Sequence, residues 1–285
     1  MAPDECSTPD PACLREAPHT IPGALLLFAC ALDAGSDPHD CLPSKVLERL
    51  RATRHFVVEN SRSARRWLSR CDWPYPLAQA QMLEWNEHHR EQQEVLAEYT
   101  RQVLGWLVSG DDVGLLSEAG VPAVADPGSL LVARVHEAGL RVVPLVGPSS
   151  ILLALMAAGL NGQHFEFVGY LPVATESRAA ALRALELRCR REGLSVAWIE
   201  TPYRNDALLE TALQCLAPDT VLTVACALGT PSERICRHTL QDWKNESWRP
   251  AKHPAVFVMG RETPGLDHRD ASRLQRKRMS RAIHS

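Results

Sequence analysis

A chain of 285 residues with 45% hydrophobic residues and a formal net charge of −3 exceeds one typical domain and carries enough apolar material for two packed α/β domains. No apolar run reaches the roughly 18 to 20 residues that span a bilayer, and the longest, 23–34, has no basic leader, so a soluble protein with no membrane partner is expected. Nine cysteines without a CxxC pair make neither a zinc site nor an even disulfide framework, which points to a reducing cytoplasm, and the charge gives no global attraction to nucleic acid.

Residues 1–20, rich in Pro, Asp and Thr, show no hydrophobic period and read as a loose leader. The fold starts near Ile21, where the continuous apolar run Gly23 to Ala29 has the character of a strand in the middle of a parallel sheet. Pro43 and Ser44 open a helix over 45–53. His55 to Glu59 follows as a second strand with Glu59 and Asn60 at its carboxyl end, and another helix covers 61–71. The long polar segment Met82 to Ser109 reads mostly as helix. Gly110-Asp111-Asp112 then turns the chain into a strand over 113–117. Two Gly/Pro turns come next, Glu118 to Gly128 and Val146 to Ser150, separated by a helix over 129–139 and a strand over 140–145. A short apolar helix, 151–158, stops at Gly159, and Asn161-Gly162 is a turn signal. The domain junction is expected here, with a first α/β domain at 21–160 and a second at 161–262. The second domain reads as strand 165–170, helix 175–191, strand 194–199, the turn Glu200 to Arg204, helix 206–216, strand 220–227 and a last strand 255–259. Strand and helix are thus expected to alternate throughout. The tail 263–285 carries Arg269, Arg273, Arg276, Lys277, Arg278 and Arg281 without aromatic residues, the composition of a disordered segment.

In an open α/β sheet, ligands bind outside the carboxyl ends of the strands, and Glu59, Ser117, Pro148 and Glu200 all fall at such ends. The first strand is followed by no G-x-G-x-x-G turn and the chain has no Walker lysine pattern, so a nucleotide-phosphate cradle is not supported. The Gly/Pro turns instead let backbone approach a ligand closely. Ser149 and Ser150 fall at a helix start, where hydroxyls cap free N–H groups and backbone donors meet a carboxylate. Asp126-Pro127-Gly128 reads equally well as the cap and first turn of the next helix. Glu118 has no helix to cap and reads as an exposed turn carboxylate.

The run Ser117 to Gly128, followed by Val143 to Ser150, Gly159-Leu160-Asn161-Gly162 and Phe167 to Pro172, resembles the tetrapyrrole-methylase superfamily. Within it the chain is most similar to the ribosomal RNA small-subunit methyltransferase I branch, which methylates a cytidine ribose 2′-hydroxyl. The likeness extends to Val58 to Arg62, to Asn86-Glu87-His88, to Glu200 to Arg204, and to Ala225 to Leu228 with Glu233. It implies two consecutive α/β domains with S-adenosylmethionine in the cleft between them, in a homodimer and without a metal. Cofactor contacts are implied at Ser117, Glu118, Ala119, Gly120 and Asp126, at Ser149 and Ser150, at Thr201 and Tyr203, at Ala227 and Leu228, and at Pro254 and Ala255. A methyl group on a sulfonium needs alignment with its acceptor more than a covalent nucleophile. A ribose hydroxyl is a poor nucleophile at neutral pH and is helped by a base. Glu59, Glu118 and Glu200 are the catalytic candidates, with His88 a further one, and helix capping is the alternative role for Glu59 and Glu200.

The branch carries Pro-Thr-Pro-Ile-Gly-Asn-Leu after its first strand, where this chain has Phe28 to Gly35. It also carries Glu-Asp-Thr-Arg where this chain has Glu59-Asn60-Ser61-Arg62, and His-Arg in place of Tyr203-Arg204. These departures make the chain similar to a divergent sister group. Asn60, Arg62 and Arg204 are its candidate substrate contacts. The acceptor stays open between RNA, such as a ribosomal subunit, and a small molecule such as a tetrapyrrole. A non-catalytic, cofactor-binding RNA-associated module is a third reading. Arg51, Arg54, Arg62, Arg65, Arg66 and Arg70 cluster early and offer phosphate contacts. Salt-bridging at the surface is the competing role for these arginines, and no interleaved aromatic stacking pattern accompanies them.

Overall fold

The computed structural model describes residues 21–85 and 92–262. The leader, the basic tail and the motif Asn86-Glu87-His88 lie outside the described residues. Contacts divide the described chain into two compact units, 21–30 with 37–147, and 31–36 with 148–262. The sequence places the junction after 160, whereas the contacts divide the chain after Gly147. The physical reason lies in the helix at 150–158, whose Ala154, Leu155 and Ala158 pack on Ala197, Ala225, Val256 and Val258.

The first unit is a five-stranded, wholly parallel sheet of β1 (Ala24–Phe28), β2 (His55–Val58), β3 (Gln81–Glu84), β4 (Val113–Leu116) and β5 (Arg141–Pro144), in the order β3-β2-β4-β1-β5. The central strands β1 and β4 are apolar along their whole length because both faces are covered. Its helices are α1 (Pro38–Cys41), α2 (Ser44–Ala52), α3 (Ser61–Arg70), α4 (Gln93–Val108) and α5 (Ser129–Glu137). Leu96, Val103 and Leu107 of α4 join Leu131 and Val135 of α5 over Leu25, Val57, Val113 and Leu115, the apolar stripe that helical spacing requires. The segment from Met82 onward does not begin as helix. Met82 and Leu83 pair with Phe56 and Val57 at the sheet edge, and this pairing overrides the polar composition of a short, half-exposed strand.

The second unit contains α6 (Ser150–Ala158), β6 (Phe165–Tyr170), α7 (Thr175–Glu192), β7 (Ser195–Glu200), α8 (Asn205–Cys215), β8 (Val221–Cys226), β9 (Arg234–Thr239), α9 (Leu240–Trp243) and β10 (Ala255–Gly260). Its sheet has the order β6-β7-β10-β8-β9, and β6 with β7 is its one parallel pair. The expected alternation of strand and helix therefore ends at β8. The strand β9, which the sequence reading lacks, pairs antiparallel with β8 and exposes Arg234, Ile235 and Arg237 while burying Cys236. An edge strand with charged outward positions carries no apolar run to betray it. In the core, Trp198 of β7 stacks on Phe257 of β10 with ring centroids 5.8 Å apart and planes 4° from parallel. The molecule thus consists of two α/β domains, the first parallel and the second mixed.

Candidate functional site

At the carboxyl edge of the first sheet, β1 and β4 are neighbours that lead to opposite edges, β1 toward β2 and β4 toward β5. The loops leaving them lie side by side, with Cys30 and Gly120 exchanging backbone hydrogen bonds of 2.8 and 3.1 Å. That is the position where open α/β sheets hold ligands. Three strands deliver carboxylates to this edge: Glu59 follows β2, Glu84 ends β3 and Glu118 follows β4.

Asn60 caps α3, its Oδ1 accepting the N–H groups of Arg62 at 2.9 Å and Ser63 at 3.1 Å. Glu84 Oε1 accepts the Ser61 N–H at 2.8 Å. Glu118 is exposed, accepts the Ser63 hydroxyl at 3.2 Å, and donates its own N–H to Glu59 Oε1 at 3.2 Å. Ser117 is buried and donates its hydroxyl to the Gly120 carbonyl at 2.9 Å, closing the Ser117-Glu118-Ala119-Gly120 turn. The structure therefore brings Glu59, Asn60, Ser117, Glu118 and Gly120 together, along with Ser63 and Glu84, which the sequence reading did not single out. Glu84 escaped notice because its strand was read as helix.

Asp126 does not cap a helix. Helix α5 starts at Ser129 with Gly128 as its cap residue, and no side chain caps it. Asp126 Oδ1 instead accepts the Gly128 N–H at 2.6 Å, an Asx turn. A Cβ on Gly128 would come within 2.8 Å of that oxygen and 2.9 Å of the Leu115 side chain, so a larger residue there would press on the Asx turn. The buried Trp85 anchors the loop by donating its indole N–H to the Pro127 carbonyl at 3.1 Å. Within it, Ala123 and Ala125 adopt positive φ of 64° and 56°, each costing on the order of 1–3 kcal/mol.

Asp126 Oδ2 is buried and receives no hydrogen bond from a permanent donor. Its neighbour is Glu59, whose carboxyl is pushed up to about 8 by burial first, then by hydrogen bonding to Asp126 and by the negative charge of Asp126. The Glu118 N–H works against that rise. Two ionised carboxylates are both acceptors, so the pair is hydrogen-bonded only while one of them holds a proton.

In the second unit, Ser149 caps α6, its Oγ accepting the Leu152 N–H at 3.5 Å, and Ser150 is the first helical residue. At the end of β7, Glu200 is fully withdrawn from solvent. One oxygen accepts the Thr201 N–H at 2.7 Å, the Thr201 hydroxyl at 3.2 Å and Arg204 Nε at 2.9 Å, while the other is buried without a donor. Such a group holds Arg204 and the turn in place, and Tyr203 stands 74% exposed beside them. Strand register sets Glu200, Ala255 and Cys226 side by side across β7, β10 and β8. The expected contacts Thr201, Pro254, Ala255, Ala227 and Leu228 therefore share one sheet edge, where the Ala227 N–H donates to the Pro254 carbonyl at 2.9 Å. Ala227 and Ala251 have positive φ of 50° and 51°. Asn205, fully buried, ties the Ala251 to Pro254 loop to α8 by donating to the His253 carbonyl at 2.7 Å. It was missed because nothing distinguishes an asparagine at a helix start from an ordinary cap. Among the described residues no group of three or more His, Cys, Asp or Glu could hold a metal ion.

The sequence profile of the tetrapyrrole (corrin/porphyrin) methylases matches residues 21–244. A ribosomal RNA small subunit methyltransferase I of Neisseria meningitidis is 41% identical over 108 residues, 38% of this chain and 36% of that protein. Its namesake from Micromonospora olivasterospora is 34% identical over 163 residues, 57% of this chain and 49% of that protein. The matched stretch thus spans half or less of the length of these relatives. Among solved structures, diphthine synthase shares the fold with a TM-score of 0.56 at 15% identity, covering 84% of this chain and 90% of that one. With the profile spanning most of its length, the chain belongs to the tetrapyrrole methylase family.

Proposed function

We propose that this protein is an S-adenosylmethionine-dependent methyltransferase that modifies a ribose 2′-hydroxyl of ribosomal RNA, works as a homodimer and resides in the cytoplasm. The observation that carries the reading is the 117–128 loop. In a chain of this family, a segment expected to contact the cofactor holds two alanines at costly positive φ beside the buried Asp126 carboxylate oxygen. Ala227, another expected contact, is left-handed as well. These features fit a ligand approached by bare backbone and offering hydroxyl or ammonium donors. The relatives named for ribosomal RNA support the acceptor class. All described cysteines are free thiols, which supports a reducing compartment, and no described helix is long and apolar enough to cross a membrane.

When bound, the cofactor would supply a sulfonium methyl group for transfer to the ribose oxygen, with S-adenosylhomocysteine as the co-product. Ser117, Glu118, Ala119, Gly120, Asp126, Ser149, Ser150, Thr201, Tyr203, Ala227, Leu228, Pro254 and Ala255 are the residues proposed to hold it. Among the three candidate bases, Glu59 suits the hydroxyl proton best, because a base is most effective when it titrates near the working pH and Glu59 does so at about 8. Glu118 then orients it through its N–H. Glu200, enclosed with Arg204, keeps the second unit's turn in shape. Asn60 and Arg62 remain the proposed substrate contacts at α3.

Calorimetric titration of the folded protein with S-adenosylmethionine and S-adenosylhomocysteine tests the cofactor assignment, and no heat from either would overturn it. With isolated small ribosomal subunits and radiolabelled cofactor, the transferred label is expected in a 2′-O-methylated nucleoside. The rate is expected to rise with pH through about 8 as Glu59 loses its proton, and Glu59→Gln should lower it by about 10²–10⁴-fold and remove that rise. A rate independent of residue 59 would return the base assignment to Glu118.

A further inference from the structure

The arginine cluster evident in the sequence is not uniform in the structure. Arg51 bonds to Asp72 at 3.1 Å and to the Cys71 carbonyl at 2.8 Å, and Arg54 lies over the Tyr75 ring at 3.8 Å. Arg70 is also engaged. The guanidinium groups of Arg62, Arg65 and Arg66 differ, for they make no hydrogen bond or ion pair among the described residues. These three are exposed, with Arg65 and Arg66 three and four positions after Arg62 on α3, and they line an open cavity of about 480 Å³ together with Asn60, Glu84 and Glu118. Positions at that spacing share one face of a helix, about 5–6 Å apart at their roots. On a chain with net charge −3, three arginines against the two carboxylates Glu84 and Glu118 leave this cavity with a local positive excess.

The geometry points to this cavity as the grip for an RNA strand, with Arg62, Arg65 and Arg66 holding successive phosphates beside the Glu118 turn; this rests on the reading of the protein as an RNA methyltransferase. A lone inorganic anion is a poorer fit. The first N–H groups of α3 are already taken by Asn60 and Glu84, so the backbone mode of small-anion capture at a helix start is closed. The carboxylates of Glu84 and Glu118 in the same cavity repel an isolated phosphate, yet they accept hydrogen bonds from ribose 2′-hydroxyls, the group by which proteins tell RNA from DNA. Three cations spread over one helical turn match a chain of repeating charges. Arginine also clamps phosphate oxygens in a bidentate fork.

The test is fluorescence anisotropy of a labelled 20-nucleotide mixed-sequence single-stranded RNA with the full-length protein, read between about 50 and 200 mM salt. Each phosphate contact adds about 0.7 to the logarithmic salt slope for a single strand. The triple variant R62Q/R65Q/R66Q should therefore lose about 2 from the slope and bind roughly tenfold or more weakly at the low-salt end. The charge-preserving R62K/R65K/R66K should keep the slope, and a control at exposed positions of α7, R183Q/R191Q, should leave it unchanged. Far-ultraviolet dichroism and the heat of S-adenosylmethionine binding should match wild type in all three, which separates loss of the grip from loss of the fold. An unaltered slope in the glutamine triple variant overturns the inference and leaves the methyltransferase reading standing wherever cofactor heat persists. Absence of cofactor heat in the wild type overturns that reading whatever the arginines do. Poly-glutamate, or millimolar inorganic phosphate, displacing the RNA as well as unlabelled RNA does would also overturn the inference, assigning the cavity to an acidic protein or to a free anion.

Discussion

Glu59 and Asp126 come from loops far apart in sequence, and their meeting ties pH to stability. In the unfolded chain Glu59 titrates at its ordinary value of 4.5, and in the folded protein at about 8. Between those values the folded state holds more protons than the unfolded one, so stability falls as pH rises across the window and levels off above it. Glu59→Gln removes this part of the slope: the variant should gain on wild type as denaturation midpoints are measured from about pH 5 to about pH 9, and a constant difference would contradict the raised titration of Glu59. Asn60 shows a different kind of legibility. The sequence marks it as a lost charge relative to Glu-Asp-Thr-Arg, whereas the structure uses it as the α3 cap, a role that asparagine fills as well as aspartate. Asn60→Ala should cost about 1 kcal/mol, readable in urea unfolding. The residues of the Ser117 to Gly120 turn were legible because Gly/Pro chemistry is local. The partnership of Glu59 with Asp126 was not, since it depends on which loops the sheet order makes adjacent.

At the scale of elements, legibility followed burial. Strands β1, β2 and β4 and the interior strands β7, β8 and β10 appear in the sequence as apolar runs, because a strand covered on both faces has no polar positions to alternate. The edge strands β5 and β6 still carry apolar or alternating runs and were legible, whereas β3 and β9, edge strands with polar outward positions, were missed, and with β9 went the last antiparallel pair of the second sheet. Glycines show how closely elements approach. A Cβ on Gly147 would stand 2.4 Å from the Ala29 Cβ and 3.1 Å from Leu42, and Ala29 offers no flexible end that could move away. Gly147→Ala should destabilise by about 1–3 kcal/mol through overpacking. Gly105, inside α4, has nothing within 4 Å of its would-be Cβ, so Gly105→Ala should stabilise by up to about 1 kcal/mol through helix propensity and a less flexible unfolded chain. Thermal unfolding of the two variants should move in opposite directions; equal shifts would refute the packing argument for Gly147.

For the molecule as a whole, α6 carries the feature that one copy of the chain leaves unexplained. Nearly every residue of this helix is apolar, yet it buries only Ala154, Leu155 and Ala158, leaving Leu152 51% and Met156 78% exposed. Four residues apart, they stand on one side of the helix, and the same unit exposes Tyr170 and Val173. Large apolar side chains grouped at a surface mark an interface, and a second copy of the chain is the occupant that the proposed homodimer supplies. A two-fold interface presents the same patch from both copies, so every substitution counts twice. Each buried Leu or Met side chain contributes about 1.5–3 kcal/mol. Replacing one of them by a charged residue should therefore weaken the dimer by about 3 kcal/mol or more, a hundredfold or greater rise in dissociation constant. Sedimentation velocity of the full-length protein should show a dimer for wild type and a shift to monomer for Met156→Asp at micromolar concentration, with Leu152→Asp having the same effect. Both variants alter an exposed side chain, so circular dichroism should stay unchanged. A wild type that sediments as a monomer contradicts the homodimer, and a dimer indifferent to both substitutions places its interface away from α6.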